Sequence, residues 1–351
     1  GGPVMIDLHC DTVYALWKNC SDETLVHNTL HVDVEKMREG GVLAQCFALF
    51  VPMLDHVPRT HAGKKPWRIL QELYQRFLLE VENSNGSLRQ AFSVADILEN
   101  KSNGVLSAIL TTEEGGAIEG KLDRLTSLWD MGVRIFSLTW NYESELAFPN
   151  SDDAAVMDSG LKPLGREAVD ELNRLGILVD VSHLSDGGFW EVAKMSRKSG
   201  VPFVATHSNS RVLTAETRNL TDAMLRELAD CGGVAGLNFC PAFLLPSGTT
   251  ESGLRQAPFT DSPAPASMVS RIDDMVRHVF HIRNVAGSDV LAIGTDFDGI
   301  GGVLEIDSSA KLPLLRHALG RAGMPESELD KLWEANALRV LQAVDGAFRR
   351  S

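Results

Sequence analysis

Eight apolar, β-rich runs recur along the 351 residues, each bounded by turn-forming residues and separated from the next by a segment of helical spacing. They cover residues 5–10, 42–51, 105–112, 133–139, 177–182, 202–206, 233–239 and 290–295. Most are apolar on both faces, which suits parallel strands covered by helices rather than sheets with one face in water. The clearest helical segments are residues 67–82, 122–131, 165–175, 188–197, 222–230 and 268–285, with terminal helices within 312–344. A strand–helix alternation repeated eight times without a break in composition predicts an α/β chain folded as a single-domain (β/α)8 TIM barrel over residues 5–351. A doubly wound sheet is the structural alternative. Residues 1–4, ahead of Met5, are read as a non-native or disordered N-terminus.

Composition narrows the partners. Asp and Glu number 47 against 33 Lys and Arg, a net charge of −14 that is spread along the chain. A phosphate-tracking protein carries the opposite sign, so nucleic acid is not an expected partner. No apolar run approaches the roughly 20 residues that span a bilayer, and no basic start precedes an apolar signal core. A cytoplasmic chain with no membrane partner is expected. The five cysteines, Cys10, Cys20, Cys46, Cys231 and Cys240, are odd in number, widely spaced and free of a Cys-x-x-Cys pattern. They read as reduced thiols rather than a disulfide framework. The Pro-, Gly- and Ser-rich residues 240–265 are too many for a simple connection and read as an active-site wall or lid.

Barrel active sites are built at the C-terminal ends of the strands, and the residues capable of chemistry collect there. His9 and Asp11 end the first run, Glu113-Glu114-Gly115-Gly116 follows the third, and Asp180-Val181-Ser182-His183 closes the fifth. Thr206-His207-Ser208 closes the sixth, and Gly294-Thr295-Asp296-Phe297-Asp298-Gly299 closes the eighth. Residues two apart on a strand point to one side, so His9 and Asp11 can share a metal ion. Spacing alone is weak support, because His31-Val32-Asp33 repeats it where Asp33 reads as a helix cap and His31 as a surface or packing histidine. Two further histidines and a glutamate exceed what one tetrahedral zinc needs. A carboxylate bridging two metals accounts for the surplus and suits hydrolysis. His27, His56, His61, His278, His281 and His317 lack ligand spacing, and His278 and His281 read as a solvated helix face. Asp152 and Asp153 read as polar entrance-loop residues.

Taken in order and spacing, His9-x-Asp11-Thr12, Glu114-Gly115-Gly116, Asp180 to Ser185, Thr206-His207-Ser208 and Gly294 to Gly299 resemble the membrane or renal dipeptidase family of zinc peptidases in the amidohydrolase superfamily. The resemblance implies two Zn2+ ions per subunit, with other divalent metals as the alternative. His9 and Asp11 would hold one ion and His183 and His207 the other. Glu114, directly before Gly-Gly, would bridge them, with Glu113 as the competing candidate. It implies that Asp296 is the catalytic proton carrier, and that Asp298 orients a ligand or holds the loop. Arg218 would receive the substrate carboxylate, with Arg211 as the alternative. Trp140 stands where the mammalian pattern has a histidine and is a candidate substrate contact through its indole N–H, as is Asn141 through its amide. Phe243 falls near a family tyrosine. The activity implied is hydrolysis of small unblocked dipeptides, and the family allows a homo-oligomer. Two rivals stand beside it: a related amidohydrolase acting on another small amide such as an N-acyl amino acid, and a non-catalytic barrel that binds a metal or small ligand.

Overall fold

The structure is a computed structural model that describes residues 2–246 and 268–347. Its frame is a curled, all-parallel sheet. Its strands are β1 (Met5–Cys10), β2 (Val42–Phe50), β3 (Leu88–Gln90), β4 (Leu106–Glu113), β5 (Val133–Ser137), β6 (Leu178–Asp180), β7 (Ala235–Leu237) and β9 (Leu291–Ile293), while β8 (Val269–Ser270) and β10 (Val303–Leu304) form a separate two-stranded sheet. The main path runs β6-β5-β4-β2-β1-β9-β7. Its two ends meet through Val204 and Ala205, which bridge in parallel to Asp180 of β6 and Ala235 of β7. With that two-residue stave the ring has the eight members of a (β/α)8 barrel.

The sixth stave is short for a physical reason. The Thr206 amide leaves the ladder to donate to Asp180 Oδ1 at 3.0 Å, so a side chain replaces the pairing that would extend the strand. β1 and β2 are buried along their whole length, as strands covered on both faces must be. One core cluster lies between the ring and its helices, where Phe47 and Leu110 meet Ile69, Leu73 and Phe77. A second unites Ile6, Leu8 and Ile109 with Ile97, Val340 and Leu341 of the helices Val94–Ser102 and Asn336–Val344.

Several elements depart from the sequence reading. β3 runs beside the first half of β4, pairing Arg89 with Ser107, before β5 takes over at Leu110. The helix expected from residue 268 begins at Ile272, because Val269 and Ser270 pair instead with Val303 and Leu304. Helices Thr12–Lys18 and Val94–Ser102 add to those expected. Of the expected wall at residues 240–265, Pro241–Leu244 forms a short helix, and the part from residue 247 onward lies outside the described residues.

Candidate metal centre

Two buried aspartates underpin the mouth of the barrel. Asp7 Oδ1 accepts the Thr295 amide at 2.9 Å and the His9 amide at 3.4 Å, while Oδ2 accepts the Thr295 hydroxyl at 2.8 Å and Gln45 Nε2 at 3.0 Å. Asp180 repeats the arrangement. Its Oδ1 accepts the Thr206 amide at 3.0 Å and the Ser182 amide at 3.1 Å, and its Oδ2 accepts the hydroxyls of Thr206 and Ser137, both at 2.7 Å. Each threonine immediately precedes a residue of the site, Asp296 or His207, so each carboxylate fixes where the chain turns inward.

Above this base six side chains converge. His9 Nε2 lies 3.1 Å from Asp11 Oδ2, 3.4 Å from Glu113 Oε2 and 3.5 Å from Asp296 Oδ1. Glu113 Oε2 also lies 3.4 Å from His183 Nε2 and 3.3 Å from His207 Nε2. The His183 and His207 Nε2 atoms are 3.1 Å apart, and the rings of His9 and His207 stack at 3.8 Å. The other ring nitrogens of two histidines are engaged elsewhere: His183 Nδ1 lies 3.0 Å from Asn141 Oδ1 and His207 Nδ1 lies 2.7 Å from the Thr206 hydroxyl. Such outer contacts fix the ring so that Nε2 faces inward, the arrangement that metal-ligating histidines use.

The donor set fits a metal. Glu113 Oε2 and Asp11 Oδ1 are buried with no hydrogen-bond partner among the described residues, a state that charged oxygens do not sustain without a cation or water. His9, Asp11 and Glu113 form one group of closely spaced ligand atoms, Glu113, His183 and His207 a second, and His9, His207 and Asp296 a third. A Cβ at Gly299 would come within 2.1 Å of Asp11 Oδ2 and 2.7 Å of Asp296 Oδ1, so glycine is required where the chain passes the acidic pair.

Glu114 is not where the resemblance put it. The carboxylate in the cluster is that of Glu113, the last residue of β4. Alternation along the strand gives the reason, since Glu113 shares the face of Thr111 and Glu114 does not. Past the strand end Glu114 adopts φ +99° and turns its carboxylate to the Gly116 amide at 2.8 Å and the Trp140 amide at 3.3 Å. Burial pushes its pKa up to about 8, against the pull of those two amides.

Electrostatics divide the cluster. Burial works against a charged His9, yet Glu113 and Asp11 outweigh it and hold its pKa well above the usual range. Burial drives His183 and His207 well below that range, helped by Arg218 and His9. Burial raises Asp296 to about 7, with His9 opposing and Asp11 assisting. Asn238 Nδ2 donates to Asp296 Oδ2 at 3.0 Å. Sequence reasoning does not single out Asn238, whose only signal is its place just after β7.

The structure separates the two arginines. Arg211 is committed to a forked pair with Asp186 at 2.8 and 2.9 Å. Arg218 is buried beside the cluster, where it donates to Ser208 Oγ at 3.1 Å and the His207 carbonyl at 2.9 Å. Its Nε has no partner among the described residues, and its guanidinium lies 5.3 Å from the Phe243 ring centre. Trp140 is fully buried, packed against Phe50, His56 and Tyr142 with its ring centre 6.1 Å from that of His183. It is a wall of the site. Asn141, expected at the substrate, has its amide oxygen against His183 instead. Tyr142 is hydrogen-bonded to His56, which ties the turn after β2 to the turn after β5.

Among the remaining histidines, His278 corrects its expected place on a solvated face. It is completely buried, accepting the Ser210 amide on Nδ1 at 3.2 Å and meeting the Thr214 hydroxyl through Nε2 at 3.1 Å. His281 pairs with Asp222 at 2.8 Å. Asp33 caps the helix Val34–Gly40 as expected. His31 packs on the last turn of the site, accepting the Asp298 amide at 2.9 Å, while Asp298 accepts the Thr12 hydroxyl at 2.6 Å. Asp298 thus holds the loop. Asp153 caps the short helix Ala154–Met157.

Residues 3–351 match the family model described as membrane dipeptidase (peptidase family M19). A Klebsiella pneumoniae protein named as uncharacterized, from the pqqA 5' region, is 35% identical over 270 residues, which are 75% of this chain and 92% of that protein. An uncharacterized dipeptidase of Schizosaccharomyces pombe is 28% identical over 319 residues, 89% of this chain and 72% of its own. Among solved structures, a metallopeptidase from Rhodobacter sphaeroides, liganded with a phosphinate mimic of the dipeptide L-Ala-D-Ala, is similar at a TM-score of 0.82 and 28% identity. That likeness covers 98% of this chain and 100% of the other.

Proposed function

The chain belongs to the membrane dipeptidase family of metallopeptidases, and from that premise we propose that the barrel mouth hydrolyses small unblocked dipeptides with two zinc ions. One ion is assigned to His9 and Asp11, the other to His183 and His207, with Glu113 shared between them. The carrying observation is Glu113 Oε2, which lies 3.3 to 3.4 Å from three imidazole Nε2 atoms and has no hydrogen-bond partner among the described residues. Bound there, divalent cations would supply Lewis acidity and lower the pKa of a water.

Asp296 is the proton carrier. Its Oδ2 is occupied by Asn238, which leaves Oδ1 toward His9 and the cluster. A carboxyl raised to about 7 can accept a proton from the attacking water and return it to the leaving amine near neutral pH. Arg218 receives the free carboxylate of the peptide, its Nε being the open donor of a guanidinium otherwise fixed by Ser208 and the His207 carbonyl. Trp140 shapes the wall behind His183. The ligand of the Rhodobacter sphaeroides structure makes L-Ala-D-Ala a first substrate to try. The five cysteines, all free, fit a reducing compartment such as the cytoplasm.

Zinc analysis together with turnover of a dipeptide panel varying both residues and the chirality of the second tests this reading. The expected result is two ions per chain and hydrolysis of free dipeptides, with C-terminally amidated analogues rejected. Tight zinc binding without turnover at any pH overturns the hydrolytic reading. Turnover of N-acyl amino acids in preference to dipeptides overturns the substrate class.

A further inference from the structure

Glu114 lies outside the metal cluster, yet it is completely buried and its backbone stands at φ +99°, ψ 98°, a conformation that side-chain-bearing residues rarely adopt. Its carboxylate reaches across to the rim of the neighbouring stave and accepts the Trp140 amide. Both neighbours of Trp140 touch His183. The Thr139 hydroxyl donates to the His183 carbonyl at 3.1 Å, and Asn141 Oδ1 lies 3.0 Å from His183 Nδ1. His183 itself stands at φ +72°, so its orientation is imposed by what surrounds it rather than by its own backbone preference.

We propose that Glu114 is a positioning residue for His183: its carboxylate pins the middle of Thr139-Trp140-Asn141, and the two ends of that tripeptide hold the imidazole by its backbone and by Nδ1. The second glutamate of Glu-Glu-Gly-Gly thereby serves the site without entering it. This rests on the assignment of His183 to the metal centre. The carboxylate is the suitable group because two backbone N–H donors converge on it, Gly116 from its own turn and Trp140 from the next. A strained residue whose side chain were idle would give way to glycine, which takes positive φ freely.

That difference supplies the test. Glu114→Gly relieves the backbone and removes the clamp, but it also leaves the buried Gly116 and Trp140 amides without their acceptor, so the deciding readout is zinc affinity rather than Tm. Chelator competition should show one of two zinc ions held about 10- to 100-fold more weakly, the range for loss of an outer-shell partner. Glu114→Gln keeps one acceptor oxygen and faces an amide NH2 toward the other N–H donor. It should fall between wild type and Glu114→Gly in zinc affinity, and it decides the matter if the glycine variant fails to fold. Two tight zinc ions in both variants overturn the positioning role, as does a Tm loss with zinc affinity intact. His183→Ala runs alongside: if it leaves both ions as tight as in wild type, the metal assignment itself fails, and that result is distinct from failure of the clamp alone.

Discussion

The β1/β9 side of the mouth and the side built on β6 and the Val204–Ala205 stave stand on matching foundations and carry opposite chemistry. Asp7 and Asp180 each accept four hydrogen bonds in the same pattern, each anchoring a threonine just before a residue of the site. Over Asp7 stand Asp11 and Asp296 with a single histidine, whose pKa the carboxylates raise. Over Asp180 stand two histidines and Arg218, and burial keeps both imidazoles neutral. The difference teaches that the foundation sets position and rigidity, while the residues above it set charge. Glu113, from β4, is the group that both sides share.

The strongest challenge to this division is removal of the shared carboxylate. Glu113→Gln should weaken both zinc ions and lower kcat/KM by more than about 10⁴-fold, since several kcal/mol of charge stabilisation leaves with the ions. Retention of one ion at wild-type affinity, seen by metal analysis after dialysis, means that the halves are independent sites. Asp296→Asn cuts within the carboxylate side. It should retain zinc and lose about a thousandfold in kcat, within the range for general acid–base groups. A fall in zinc content with that variant makes Asp296 a ligand, as its place within one of the ligand groups allows.

Acid should distinguish the sides by stability. His278 pins Ser210 and Thr214 in the segment that carries His207 and Arg218, and burial, with Arg277 assisting, lowers its pKa to about 4. The unfolded chain takes up this proton first, so the stabilisation is complete above pH ~6.5 and is lost as the pH falls toward the folded value. About 2 kcal/mol should be lost by pH 5. Urea unfolding of the metal-free protein at pH 8 and pH 5 measures it, with His278→Gln as the reference that lacks the loss. An equal acid response in that variant assigns the sensitivity to other groups.

Much of this site is legible in the sequence because strand ends are local. His9, Asp11, His183, His207 and Asp296 each follow an apolar run, and the barrel gathers such ends at one rim. What escapes a sequence reading depends on registers and distant partners. Strand alternation from Thr111 selects Glu113 over Glu114, but where β4 ends decides whether alternation still applies. The burial of His278 depends on a segment more than sixty residues away in sequence. Asp7 reads as one polar residue in an apolar run until Gln45 of β2 and Thr295, just past the end of β9, arrive on either side of it. The sixth stave reads longer in the sequence than it is in the fold, because nothing local reveals that Asp180 takes the Thr206 amide.

The finest test concerns the foundations themselves. An asparagine presents an NH2 group where aspartate presents Oδ2, so every donor at that position must reverse. At Asp180 the donors to Oδ2 are the hydroxyls of Ser137 and Thr206, which can rotate to accept. At Asp7 they are the Thr295 hydroxyl and the Gln45 amide. Gln45 can present its oxygen only by turning over, and it then loses its bond to the Cys46 carbonyl at 3.1 Å. Asp7→Asn should therefore be less stable than Asp180→Asn by about 1 kcal/mol, the net worth of one buried hydrogen bond. Denaturant midpoints of the two metal-free variants give the comparison. The double variant Asp7→Asn with Gln45→Glu should recover the difference if the neutral carboxyl introduced in place of Gln45 accepts the new NH2 and donates to the Cys46 carbonyl. Equal midpoints for the two single variants would show that the foundations match in energy as well as in pattern, and that the Gln45 side chain adds nothing to the β1/β9 side.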